Sequence, residues 1–297
     1  MTSTKAPPRW QADLALAGIA LIWGSTFVLV KEALSYASTM LFLALRFTLA
    51  TFALALALRG RYGGFFHKPK AIRAGVLAGL FLFSGYAFQT IGLRYTTPSK
   101  SAFLTGLSIV LVPLVAALVY RKVPKFAEAA GVTIAAAGMG LLTLHGQSLR
   151  ISYGDALTLA CALGFAIHIV VVGHYSRKVG FEGLSVMQIA TAAAIALGSF
   201  WWAETPRVSW TTGLFVALAV TGLLATALAF TVQAWAQRNT TATRTALALS
   251  LEPVFAGLTS FLLMGEKLPG RALVGAALIL AGIVVVELKP LSRSEHP

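Results

Sequence analysis

The chain has 297 residues, enough for one large soluble domain or two small ones, but 57% are hydrophobic, only 11% are charged and the mean hydropathy is +0.79. Soluble domains carry about 25% charged residues, and long stretches here carry none, so a soluble fold is excluded in favour of an integral membrane protein. The net charge of +14 lies in short loops between apolar runs, where it reports membrane topology and argues against a nucleic-acid partner.

A helix needs roughly 20 apolar residues to cross about 30 Å of hydrocarbon. Ten stretches meet that requirement, near 13–30, 39–58, 72–93, 99–120, 127–144, 155–175, 184–203, 210–235, 244–264 and 271–288. An α-helix satisfies its own backbone in lipid, so the expected fold class is all-α with ten transmembrane helices. The first stretch follows Lys5 and Arg9 and superficially has the form of a signal peptide. Nine further spans make it the first helix of a polytopic chain. The single cysteine, Cys161, lies in an apolar run and offers no disulfide.

Basic residues set the orientation. With a cytoplasmic N-terminus the inner loops hold Lys5, Arg9, Arg59, Arg61, Lys68, Lys70, Arg73, Arg121, Lys122, Lys125, Arg177, Lys178, Arg238, Arg244, Lys289 and Arg293, which is 16. The outer loops hold Lys31, Arg94, Lys100, Arg150, Arg207, Lys267 and Arg271, which is 7, and Arg46 falls within a span. Both termini are therefore expected in the cytoplasm.

The chain also repeats itself. From Gln89 to Leu107 and from Gln233 to Leu251, 144 positions later, six of 19 pairs are identical, and Lys100 is answered by Arg244. Asp13 and Asp155 open the first and sixth stretches at an offset of 142, and Arg46 falls on Gln188 at the same offset. Arg121 to Pro124 and Glu266 to Pro269 close the fourth and ninth at 145. Nearly constant offsets imply duplicated halves, 1–149 and 150–297. Five helices per half is an odd number, so the second half inserts upside down. Two inverted five-helix repeats around a central cavity are the architecture of secondary transporters.

The residues Leu21 to Phe27, Leu45-Arg46-Phe47, Ala102 to Leu107 with Leu111-Val112-Pro113, Leu251 to Phe255, Leu263 to Leu268 and Gly275 to Gly282 give the chain a resemblance to the EamA group of the drug/metabolite transporter superfamily. Within that group it is similar to bacterial aromatic amino acid exporters. The resemblance spans nearly the whole chain and implies ten helices, a basket-like cavity and export of amino acids or other small metabolites. Pro113 pairs with Gly257 at the repeat offset and not with Pro253, so non-equivalent kinks are expected in the two halves.

No catalytic constellation appears. Gly60 to Gly64 lacks the Gly-Lys-Ser/Thr of a P-loop, and His168 and His174 are six residues apart, on different helix faces. Neither an enzyme, a metal nor a cofactor is expected. Polar groups within spans are more informative, because lipid makes them costly. Glu252 reads as a proton-coupling or substrate-ammonium site, or as a carboxylate bonded beside the break made by Pro253. Arg46 reads as a structural partner for Glu252 or for carbonyls.

Tyr86, Gln89, Gln233 and Trp235 offer amide donors and aromatic walls, or interhelical packing. Trp23, Ser25, Phe27 and His168 lie on the repeat-related first and sixth stretches. Lys100 and Arg244 begin their helices, positioned to capture a substrate carboxylate with free amides or to snorkel to headgroups. Together with Phe103 from the fourth-stretch motif, these make the candidate substrate-binding set. The expected function is a secondary exporter of amino acids, aromatic or apolar ones, or of related metabolites, in the cytoplasmic membrane. Transport of another metabolite or a drug, or uptake, remains the alternative; a membrane enzyme or scaffold would require a catalytic cluster or an extramembrane domain.

Overall fold

The computed structural model describes residues 9–143, 152–264 and 270–287. Lys5, Arg150, Lys267, Lys289 and Arg293 of the charge count, the boundary at 149/150 and the Gly265 to Pro269 segment lie outside the described residues. Among those described the chain is mostly helical and contains no strand. Its first helices are α1 (Arg9–Tyr36), α2 (Thr39–Ala57), α3 (Pro69–Tyr95), α4 (Pro98–Gly106), α5 (Ser108–Tyr120) and α6 (Phe126–Thr143). There follow α7 (Tyr153–Val179), α8 (Phe181–Ala203), α9 (Thr212–Ala219), a π-helical segment (Val220–Leu228), α10 (Ala229–Ala236), α11 (Ala242–Leu249), α12 (Glu252–Met264) and α13 (Gly270–Glu287). Seven helical runs are long and apolar enough to cross a membrane, and Phe126–Leu141 and Gly270–Val286 are shorter apolar helices.

Helix starts are closed by side chains, since the first amides of a helix have no internal partner. Ser152 and Asp155 form a capping box on α7. The start of α2 is capped across the fold: the Glu204 carboxylate, just after α8, accepts from the backbone of Thr39, Met40 and Leu41 at 3.0, 2.6 and 3.1 Å. A negative charge at that end also suits the helix dipole. Arg94 donates to Thr39 Oγ1 at 2.5 Å and to the Ala37 carbonyl at 3.2 Å, which ties α3 to the same corner.

Three runs depart from regular α-helix. The fourth expected stretch is broken at Leu107 and the ninth at Ser250-Leu251. Those positions correspond at the 144-residue offset. The breaks are therefore equivalent in position, while the prolines are not: Pro113 lies inside α5, whereas Pro253 sits at the start of α12. The third departure is the π segment between α9 and α10, where wider turns mark a local adjustment common at functional sites.

Small residues let helices approach closely, which matters in lipid because apolar burial gives no driving force between them. Helices α6 and α13 run antiparallel with glycine against backbone at two levels. A Cβ on Gly131 would meet the Gly282 carbonyl at 2.6 Å, and one on Gly138 would meet the Gly275 carbonyl at 2.6 Å. Large apolar side chains such as Phe52 (71% exposed) and Leu118 (81%) point outward. Such a surface would aggregate in water; facing hydrocarbon it is the outer face of the bundle. Gly138→Val puts a branched side chain into the α6–α13 contact, with nothing flexible there to yield. We expect a loss of about 1–3 kcal/mol, read as a lower unfolding midpoint of the detergent-purified protein, whereas Gly198→Ala, beside open space within α8, does not lower the midpoint.

Candidate functional site

The two helix breaks border one cavity, about 830 Å³ of empty space with its open end included. From α1 come Trp23, Thr26, Phe27 and Val30, spaced by three or four residues and so on one face. From α3 come Tyr86, Gln89, Thr90 and Leu93 by the same periodicity. The first break contributes Thr105, Gly106 and Ser108, and the second contributes Leu249, Ser250 and Glu252. Arg46 of α2, Phe165, His168 and Ile169 of α7, and Phe230 and Gln233 of α10 close the wall.

Aromatic rings form its apolar part. Tyr86 meets Phe165 edge-on at 5.2 Å and Phe230 at 5.9 Å, and Phe230 also lies 5.1 Å from Trp23 and 5.5 Å from His168. Edge-to-face contacts of this kind add to simple burial. The polar handles of these rings are anchored outside the cluster. Trp23 Nε1 donates to the Ala225 carbonyl of the π segment at 2.8 Å, and His168 Nε2 lies 2.8 Å from Gln188 Oε1. An amide oxygen only accepts, so the imidazole donates there. Gln188 is the residue that the sequence repeat aligns with Arg46, and in place of a charge it orients a cavity histidine.

Arg46 itself is corrected in its partners. Glu252 is not bonded to it; Nε donates to Thr226 Oγ1 at 2.7 Å and Nη2 to Tyr86 Oη at 3.1 Å, with the guanidinium carbon 4.4 Å from the Tyr86 ring centre. Thr226 in turn donates to the Thr221 carbonyl at 2.7 Å, five residues back, across the wide π turn. That leaves its oxygen lone pairs for the arginine. Glu252 occupies the first turn of α12, where the helix dipole favours a carboxylate.

Of the twelve sequence candidates, Trp23, Phe27, Tyr86, Gln89, His168, Gln233 and Glu252 lie together on the cavity wall. Gln89 Nε2 donates to Thr105 Oγ1 at 3.1 Å, joining α3 to the first break. Ser25 points elsewhere and donates to the Ile22 carbonyl at 2.9 Å. Phe103 and Trp235 pack, half-buried, into an apolar cluster with Ile109, Val112 and Leu247. Lys100 stands at the end of the bundle, 2.6 Å from Asp155 Oδ2, and Thr96 donates to the other carboxylate oxygen at 2.8 Å. Arg244 is also off the wall; its backbone amide donates to Thr241 Oγ1 at 3.3 Å. Phe165, Phe230, Thr26, Thr105 and Ser108 were not among the candidates. Phe230 was readable as one turn before Gln233, and Ser108 as the partner of Glu252 at the 144-residue offset. Among the described residues no group of His, Cys, Asp and Glu is arranged to hold a metal.

Comparison with known proteins fits this frame. The EamA-like transporter family model matches residues 10–144 and again 152–288. An uncharacterized transporter of Archaeoglobus fulgidus is 36% identical over 281 residues, covering 95% of this chain and 87% of the relative. A protein of Streptantibioticus cattleyicolor named "probable terminal-alkyne amino-acid exporter" is 26% identical, with 95% of each chain covered. A crystal structure superposes with a TM-score of 0.76 at 21% identity, covering 94% of this chain and 98% of that one, which shows a shared fold.

Thiol chemistry tests the geometry of the cavity. Cys161 is fully buried, so the unaltered protein should not react with a charged, water-soluble maleimide. Ser108→Cys, at the first break, should react readily, and failure to label it in folded protein would place that break away from water.

Proposed function

The chain belongs to the EamA-like transporter family, and we propose that it is a secondary exporter of amino acids with apolar or aromatic side chains, working by alternating access. The observation that carries this reading is the cavity at two helix breaks separated by one repeat offset. Interrupted helices place backbone dipoles and polar side chains at the depth of the membrane, where irregular backbone is tolerated only beside a cavity. The wall mixes Trp23, Tyr86, Phe165 and Phe230 with a few polar groups, which suits a small molecule having an apolar body and a charged end. The name of the Streptantibioticus relative supports the same substrate class.

The wider architecture in this reading is ten spans in two inverted five-helix halves, meeting near residue 150, with both termini in the cytoplasm. Two separate matches to one family model support the duplication. The excess of basic residues in alternate loops supports the orientation. Rocking of one half against the other then exposes the cavity to each side in turn.

The ends of the pathway are the two equivalent segments that begin at Gln89 and Gln233. Lys100 and Asp155 support an outer closure, because their ion pair joins α4 to α7 across the halves. The repeat relates these residues to Arg244 and Asp13, which makes the latter the candidate inner closure. Glu252 is the proton-coupling carboxylate of this proposal, since it lies on the cavity wall beside a helix break.

Counterflow of radiolabelled amino acids in liposomes tests the substrate class: leucine or phenylalanine should exchange, and exchange of none removes the assignment. Glu252→Gln should flatten the difference in rate between two pH values, whereas an unchanged pH response excludes Glu252 from coupling. Lys100→Glu should alter access from the outer side and Arg244→Glu from the inner side. Equal effects of the two on both sides would mark them as lipid anchors.

A further inference from the structure

Arg46 is 2% exposed, and among the described residues no carboxylate lies within ion-pairing distance of it. A guanidinium is always charged and presents five N–H donors in a rigid fork. Thr226 and Tyr86 engage one donor on Nε and one on Nη2. Among the described residues the remaining three, two on Nη1 and one on Nη2, have no hydrogen-bond partner, and a pair of such donors can receive a carboxylate through two parallel bonds. Both neutral partners hold the group in place without satisfying its charge. Its position on the cavity wall turns that unmet charge toward whatever the cavity receives.

A second pole faces it in chemical character. Gln237 Nε2 donates to the Ile169 carbonyl at 2.8 Å, and Gln233 Nε2 donates to Gln237 Oε1 at 3.0 Å. A backbone carbonyl only accepts, so it fixes the direction of both amides. The far end of this relay is Gln233 Oε1, a buried acceptor with no partner among the described residues, on a residue that lines the cavity. A buried acceptor is costly until something donates to it. Gln233 also lies one turn after Phe230, whose ring meets Tyr86, the arginine's own neighbour.

We propose that Arg46 binds the substrate's carboxylate and the Gln233 amide oxygen accepts from its ammonium, so that the cavity selects zwitterionic α-amino acids over molecules carrying either group alone. This rests on the cavity being the transport site. The two residues determine specificity by touching the two charged ends, while Tyr86, Phe165 and Phe230 take the apolar side chain. Thr226 is a positioning residue: through its bond to Nε, the π segment sets the direction of the fork.

The test compares phenylalanine, phenylalaninamide and 3-phenylpropanoate as competitors of phenylalanine counterflow and as stabilisers of the detergent-purified protein against heat. The amide lacks the carboxylate and the propanoate lacks the ammonium. Wild type should prefer phenylalanine over each by about tenfold or more, the worth of a lost charge-assisted bond pair. Arg46→Gln should bind phenylalanine and its amide alike, and Gln233→Leu should bind phenylalanine and the propanoate alike. Arg46→Lys, which keeps the charge without the fork, should bind phenylalanine more weakly yet still prefer it to the amide, and it serves if the glutamine variant does not fold. Wild type that exchanges phenylalanine but treats the three alike overturns the proposal while leaving transport standing. So does an Arg46→Gln protein that keeps the full preference. Wild type that exchanges no amino acid defeats the transport reading itself.

Discussion

A permanently charged guanidinium held inside a bundle of apolar helices constrains everything around it. Leaving Arg46 in hydrocarbon would cost several kcal/mol, so the helices nearest to it must supply acceptors, aromatic surface and access to water. Thr226 supplies the acceptor, but only because the π turn directs the hydroxyl's own proton to the Thr221 carbonyl. Tyr86 supplies both an oxygen and a ring face. The cavity supplies the rest. One residue on α2 thereby links the shape of α3, the winding between α9 and α10, and the existence of a polar space within the membrane.

The helix breaks answer the same constraint from the other side. Backbone that leaves regular geometry at membrane depth needs partners or a hydrated surface. At Leu107 the amide still reaches the Phe103 and Leu104 carbonyls, and at Ser250 the amide reaches those of Ala246 and Leu247. These tightened turns keep donors satisfied while turning Ser108 and Glu252 toward the cavity. Where no such site exists the helices stay regular, as α6 and α13 do along their glycine contact.

Much of the helical fold was legible because apolar runs of about 20 residues have few other solutions in lipid. The second break was legible from Pro253, which removes an N–H at the start of α12. The first was not: Leu107 carries no breaker chemistry, and Pro113, which does, lies within an unbroken α5. Polarity inside spans pointed to the cavity for Gln89, His168, Gln233 and Glu252, since burying such groups elsewhere is costly. It misdirected for Ser25, whose hydroxyl is satisfied by its own helix. Membrane helices are apolar on every side, so periodicity does not tell the lipid face from the inner face. Phe103 was therefore indistinguishable in sequence from Phe165. Arg46 was visible as an anomaly, but its partner Thr226 comes from a π segment that no local pattern announced.

The central claim is that the space between the two breaks is where substrate sits. It is tested most directly by substrate protection of Ser108→Cys against a charged maleimide in sealed vesicles. The account predicts that a transported amino acid slows labelling, with half-protection at the concentration that half-saturates its exchange. Labelling that proceeds at the same rate with saturating substrate present would contradict it.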